Sequence, residues 1–216
     1  MLLSYLLTFI VFLCPLVDAR RGDSKADQDR KGKSVTAWDS SFVPPSPPSN
    51  DVFVLEPLSP QHAELDHAAV MGSRKHIRHT LQWGNWPADD MTVEKNRKDL
   101  ARHLKEYEKR EAYAYTVLSK DRKRCLGCVY LYPVPKKSDA VRMAYWVIES
   151  ELKNQIDQRL QQTVLDWIKA DWPLKLVVLG FHTNNERGID FAKKAGARQM
   201  GPVRENQIRF VWKAAN

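Results

Sequence analysis

Three consecutive elements in the C-terminal half constrain this chain more than anything else in it. Ala140 to Glu149 reads as a strand, Asp157 to Trp172 as a helix, and Leu174 to Phe181 as a compact apolar strand. Ile156, Leu160, Val164, Trp167 and Ile168 recur at helical spacing and give the helix one apolar stripe, and Pro173 lies just past its end. Two strands of continuous apolar character on either side of such a helix predict a right-handed parallel crossover.

What precedes this unit has a different rhythm. Val52 to Leu58 predicts a first strand closed by Pro60, followed by a helix from about Gln61 to Met71 and a shorter one near Arg74 to Gln82. After a loop at 83–87, Asp89, Asp90 and Thr92 supply helix-start chemistry for a segment with Val93, Leu100, Leu104 and Tyr107 on one face. Strands then follow with short links: Ala112 to Ser119, Arg124 to Tyr132 and 140–149, an antiparallel meander. Past the crossover come a helix from Glu186 to Ala195 ending at Gly196, a short strand near Gln199 and a closing strand from Gln207 to Lys213. The fold class is therefore mixed α+β: a mostly antiparallel twisted sheet with one parallel βαβ unit and helices on both faces.

The N-terminal quarter is different again. Residues 1–19 are almost wholly apolar, with Val17-Asp18-Ala19 similar to a small-residue cleavage site, yet the first basic pair, Arg20-Arg21, follows the apolar run instead of preceding it. Either this is a secretory signal, placing the protein outside the cytoplasm or in a periplasm, or the true start lies downstream and the protein is cytoplasmic. Residues 20–50, charged and then rich in Pro and Ser, predict a disordered linker, leaving 51–216 as the folded domain. That domain carries +7 of the chain's net +8, which favours phosphorylated ligands or acidic surfaces. It carries no aromatic–basic motif of a known nucleic-acid module. Beyond residues 1–19 nothing predicts a membrane segment.

Cys125 and Cys128 form a C-x-x-C inside a predicted strand. Residues three apart on a strand point to opposite faces, so their sulfurs are expected to diverge, and no metal site is predicted. His76 and His79, three apart on a helix, find no third ligand and read as ordinary surface or core residues.

Two stretches carry a family resemblance. Tyr145-Trp146-Val147-Ile148 leads through a polar loop into the 157–172 helix, and 185–197 (NERGIDFAKKAGA) is similar to the ending N-x-x-A-x-x-h-Y-x-K-x-G-F. Both resemble the GNAT (Gcn5-related) N-acetyltransferases over about 51–216. The 83–87 loop and the 126–130 strand are similar to a bacterial branch of that family. The resemblance implies acetyl-CoA as co-substrate and an unidentified amine acceptor, the acetyl group moving by direct nucleophilic attack. It also implies a cofactor site: Val147 and Ile148 for backbone contacts to the pantetheine arm, Lys153, Asn154, Gln155 and Ile156 as the phosphate loop, Arg159 one turn on, and Asn185 across the arm. Trp83, Asn85 and Trp86 would border the acceptor pocket. Glu149, then Glu151, is the candidate general base, and Tyr145 a hydrogen-bond donor in the cleft.

The sequence departs from the family in two places. The phosphate loop, usually Q/R-x-x-G-x-G/A, here is 152–157 (LKNQID) without glycine, and Asp157 adds a negative charge there. Ala192 stands where many members have a Tyr that protonates the departing thiolate. A non-catalytic acyl-CoA-binding module is the alternative these departures keep open, and a homodimer stays open as well.

Overall fold

The computed structural model describes residues 42–214, so the segment 1–19 and linker residues 20–41 lie outside the described residues. Seven strands pair into one sheet in the order β1-β2-β3-β4-β5-β7-β6. They are β1 (Phe53–Pro57), β2 (Tyr113–Ser119), β3 (Cys125–Val134), β4 (Lys137–Val147), β5 (Leu176–His182), β6 (Arg198–Gln199) and β7 (Gln207–Lys213). Every neighbouring pair is antiparallel except β4–β5, which is parallel and joined through α4 (Ile156–Asp171). This is the predicted crossover. The other helices are α1 (Ala63–Gly72), α2 (Arg74–Leu81), α3 (Val93–Glu108) and α5 (Glu186–Lys194).

Helix ends follow their local chemistry. Thr92 caps α3 by accepting a hydrogen bond from the Lys95 amide, and Asn185 caps α5 by accepting one from the Gly188 amide. Gly196, with φ +86°, takes the left-handed turn after α5. No helix among the described residues is long and apolar enough to cross a membrane.

Helices cover both faces of the sheet. On one face Tyr115 meets Trp167 of α4 edge-on at 5.6 Å, and Tyr113 meets Trp172 at 5.7 Å. On the other, Tyr130 packs on His103 of α3, and Asp66 of α1 lies over β3. The middle strands are therefore buried on both sides, which is why β2 and β3 read as nearly unbroken apolar runs. Residues 42–50, the end of the predicted linker, lie against the domain: Phe42 packs on Trp172 at 5.2 Å, and Leu55 donates to the Pro48 carbonyl.

The cysteine expectation is corrected. Val117 pairs with Gly127, but the next residue, Leu118, pairs with Cys125, so Leu126 is an extra residue in β3. A bulge of one residue reverses the side-chain alternation beyond it. Cys125 and Cys128 consequently face the same way. Their thiols donate to Asp66 Oδ1 at 3.9 and 3.2 Å, while Asn96 Nδ2 donates to Oδ2 at 2.9 Å. The three ligand-type atoms lie within 4.8 Å of one another. Asp66 is 3% exposed, and burial pushes its carboxyl pKa up despite these donors. The cluster ties α1 and α3 to the bulged strand.

Gly127 sits beside the bulge because nothing larger fits. A Cβ there would meet the Trp146 carbonyl oxygen at 2.1 Å. Gly127→Ala is expected to lose stability at or beyond the upper end of the ~1–3 kcal/mol typical of overpacking, read as a lower midpoint in urea unfolding.

Candidate active site

The parallel ladder between β4 and β5 ends at Met143 and Leu179. Both strands run on. β3 holds β4 as far as Val147, and β7 holds β5 as far as His182. The sheet thus opens into a V between its two halves. Ile148 donates its amide to Leu126 on the β3 side. Because an antiparallel strand bonds to alternate sides, the N–H and C=O groups of Tyr145 and Val147 face the gap.

A cavity of about 280 Å³ occupies this gap. Tyr145, Trp146 and Val147 form one wall, the turn from Asn184 to Gly188 another, and His76, His79 and Thr80 of α2 a third. A second hollow of about 430 Å³ lies outside it, lined by Gln155, Gln158, Asp190, Phe191 and Lys194. Glu186 and Arg187 line both.

Of the residues expected at the site, Tyr145, Val147 and Asn185 are brought together around the inner cavity. Ile148 is buried, and its amide is committed to β3. Lys153 and Asn154 close a 3₁₀ turn, Glu149–Asn154, where the sequence predicts a loop, and both are exposed. Gln155 lines the outer hollow, and Ile156 is core. Arg159 is exposed, 3.9 Å from Asp51. Trp83 and Trp86 pack on each other at 5.7 Å and lean on Tyr130 and Trp146, so they back the cavity wall without lining it. Asn85 is exposed. Glu149 is also exposed, its amide bonded to Ser73 Oγ, and its side chain does not line the cavity. Glu151 accepts from Asn154 and Arg124, which together hold its carboxyl below the usual range.

Two features were not anticipated. Gln155 has φ +56°, the left-handed geometry that glycine ordinarily supplies, so the loop makes its turn without one. Asp157, 7% exposed, is gripped by Arg187 through two hydrogen bonds of 2.7 and 2.9 Å, and Arg187 also donates to the Leu152 carbonyl. The negative charge expected to face a phosphate is thereby neutralised by a cation thirty residues away.

Burial pushes the His76 pKa below its ordinary 6.5, only partly opposed by the charges of Glu149 and Asp157. Burial pushes the Tyr145 phenol up, and its hydroxyl donates to Gln161 Oε1 at 3.1 Å. It stays neutral and points at α4. Ala192 is fully buried and offers no acid.

A family model described as an acetyltransferase (GNAT) domain matches residues 53–198. The chain belongs to the GNAT acetyltransferase family. It is an acetyltransferase by family, with the sheet order of that fold. Solved GNAT structures share the architecture at low identity. RimL, a ribosomal L7/L12 alpha-N-protein acetyltransferase in complex with coenzyme A, is 14% identical with TM-score 0.65, covering 77% of this chain and 96% of its own. A ribosomal-protein-S5-alanine acetyltransferase from Vibrio fischeri is 14% identical with TM-score 0.64, covering 78% and 96%. The microcin C7 self-immunity acetyltransferase MccE, in complex with acetyl-CoA and AMP, is 14% identical with TM-score 0.66, covering 81% and 99%. No curated protein matches the chain.

Within this GNAT frame, Arg187→Ala is expected to cost about 1–3 kcal/mol, because Asp157 would stay buried without its cation. Adding Asp157→Asn should restore part of the loss. Chemical denaturation of both variants measures this.

Proposed function

We propose that the protein transfers the acetyl group of acetyl-CoA to a primary amine by direct attack of the amine on the thioester. One observation carries the reading: Tyr145 and Val147 turn backbone donors and acceptors into a gap that opens where the parallel ladder stops. An extended amide-bearing arm can pair with such groups as an added strand would. The N-terminus of α4 opens on the outer hollow, where the helix dipole favours a diphosphate. Gln155 gives that turn its left-handed residue, and Arg187 keeps Asp157 from repelling an anion. Lys153, Asn154 and Arg159 add polar groups and positive charge nearby, and Asn185 stands on the opposite wall.

Acetyl-CoA supplies an activated acyl thioester, and the chain's task is to hold it, exclude water and manage the amine's proton. Trp83 and Trp86, which back the cavity wall, and the exposed Asn85 between them in sequence are the residues we assign to substrate entry. Protein α-amino groups are the first acceptors to test, since the structurally similar proteins include an alpha-N-protein acetyltransferase and a ribosomal-protein-alanine acetyltransferase.

A non-catalytic acyl-CoA-binding module is the second reading, favoured by the buried Ala192 in place of an acid. A thiolate is a good leaving group and takes its proton from water, so that loss does not remove the enzyme reading.

The test is thermal unfolding of the full chain with acetyl-CoA. At a hundred times Kd the ligand should add about 2.7 kcal/mol, a raised midpoint that ATP does not reproduce. No rise at millimolar ligand would sink the proposal. Binding without acetylation of any amine would move the protein to the module reading.

A further inference from the structure

We infer that His76, on α2, is the general base of the acetyl transfer; this rests on the acetyl-transfer reading above. The inner cavity leaves few alternatives. Asp157 is held by two hydrogen bonds from Arg187. Tyr145 is a buried phenol donating to Gln161. Glu151 is tied to Arg124 and Asn154. Glu186 and His79 are exposed at the rim, and Glu149 lies outside the lining. His76 is half-buried in the wall facing Tyr145, Trp146 and Val147, where the thioester end of a bound arm would arrive.

The charged groups acting on His76 come from four elements. Glu149 on the turn after β4 and Asp157 on α4 favour its protonated form, while Arg187 on α5, His79 on its own helix and burial disfavour it. The imidazole is therefore neutral at pH 7 with a lone pair to offer. In the transfer, the amine nitrogen forms a bond to the thioester carbonyl carbon and the C–S bond breaks. The proton shed by nitrogen goes to His76, and coenzyme A leaves as a thiolate that takes a proton from the imidazolium or from water. No oxidant or further reactant is needed.

The experiment follows thiol release from acetyl-CoA with a peptide α-amine acceptor between pH 5 and 9, for the wild type, His76→Gln and Glu149→Gln, beside calorimetric titration of acetyl-CoA into each. His76→Gln should bind acetyl-CoA within about two-fold of wild type and lose kcat by about 100-fold or more. Glu149→Gln removes a charge that raises the His76 pKa, so its acid limb should move to lower pH with the plateau kept within a few-fold. The acceptor's own ionisation is the same in both enzymes and cancels in that comparison. Were His76→Gln to misfold, the Glu149→Gln displacement alone decides. Retention of kcat in His76→Gln overturns the inference. So does a kcat collapse in Glu149→Gln, which would make Glu149 the base. A wild type that binds acetyl-CoA yet acetylates no amine overturns it while leaving the cofactor site standing; a wild type that binds none sinks the acetyl-transfer reading itself.

Discussion

Two antiparallel ladders that outrun the parallel one between them hold the cleft open. β3 grips β4 to Val147 and β7 grips β5 to His182, while the two strands last pair with each other at Met143 and Leu179. Neither half can swing inward without breaking its own outer ladder. The tightness of the β3–β4 grip depends on Gly127, whose missing side chain lets the Trp146 carbonyl come close. The aromatic layers against α4 and α3 then pack the β1–β4 half from both of its faces. The gap is thus a consequence of sheet geometry, and α2 and the turn from Asn184 to Gly188 wall it into a cavity.

Electrostatics finish what the sheet begins. A helix N-terminus beside a gap favours an anion, but Asp157 in the first turn of α4 would work against it. Arg187 resolves the conflict by reaching from α5 to close on Asp157 and the Leu152 carbonyl. That contact also joins the first turns of two helices on either side of the opening. Gln155 accepts left-handed backbone geometry, for which an L residue has a modest cost. Departures that look damaging when each residue is taken alone are offset by neighbours.

The element order and the crossover were legible because long amphipathic patterns and Pro or Gly stops survive any detail of packing; the helix stripe from Ile156 to Ile168 is the clearest case. The β3 bulge was not legible. β3 is apolar on both faces near its start, so an extra residue leaves no break in hydrophobic alternation. The Asp157–Arg187 pair joins residues on separate helices, and no local spacing announces it. His76 reads as an ordinary helical histidine in sequence, because what sets it apart is the wall it belongs to. Glu149 stands at a strand end, as a base would, but the strand stops at Val147 and the following 3₁₀ turn carries its side chain outward.

The bulge has a consequence for how this molecule can be watched. It seats two thiols against one buried carboxylate, and burial pushes the Cys128 thiol pKa up, so neither the thiolate nor a path to it is available in the native state. Both sulfurs lie under α1, at the junction of helix layer and sheet. An alkylating reagent can reach them only when that junction separates. The rate of Cys125 and Cys128 labelling is therefore a built-in clock for opening of the domain's centre, wound by the same single inserted residue that brought the pair together.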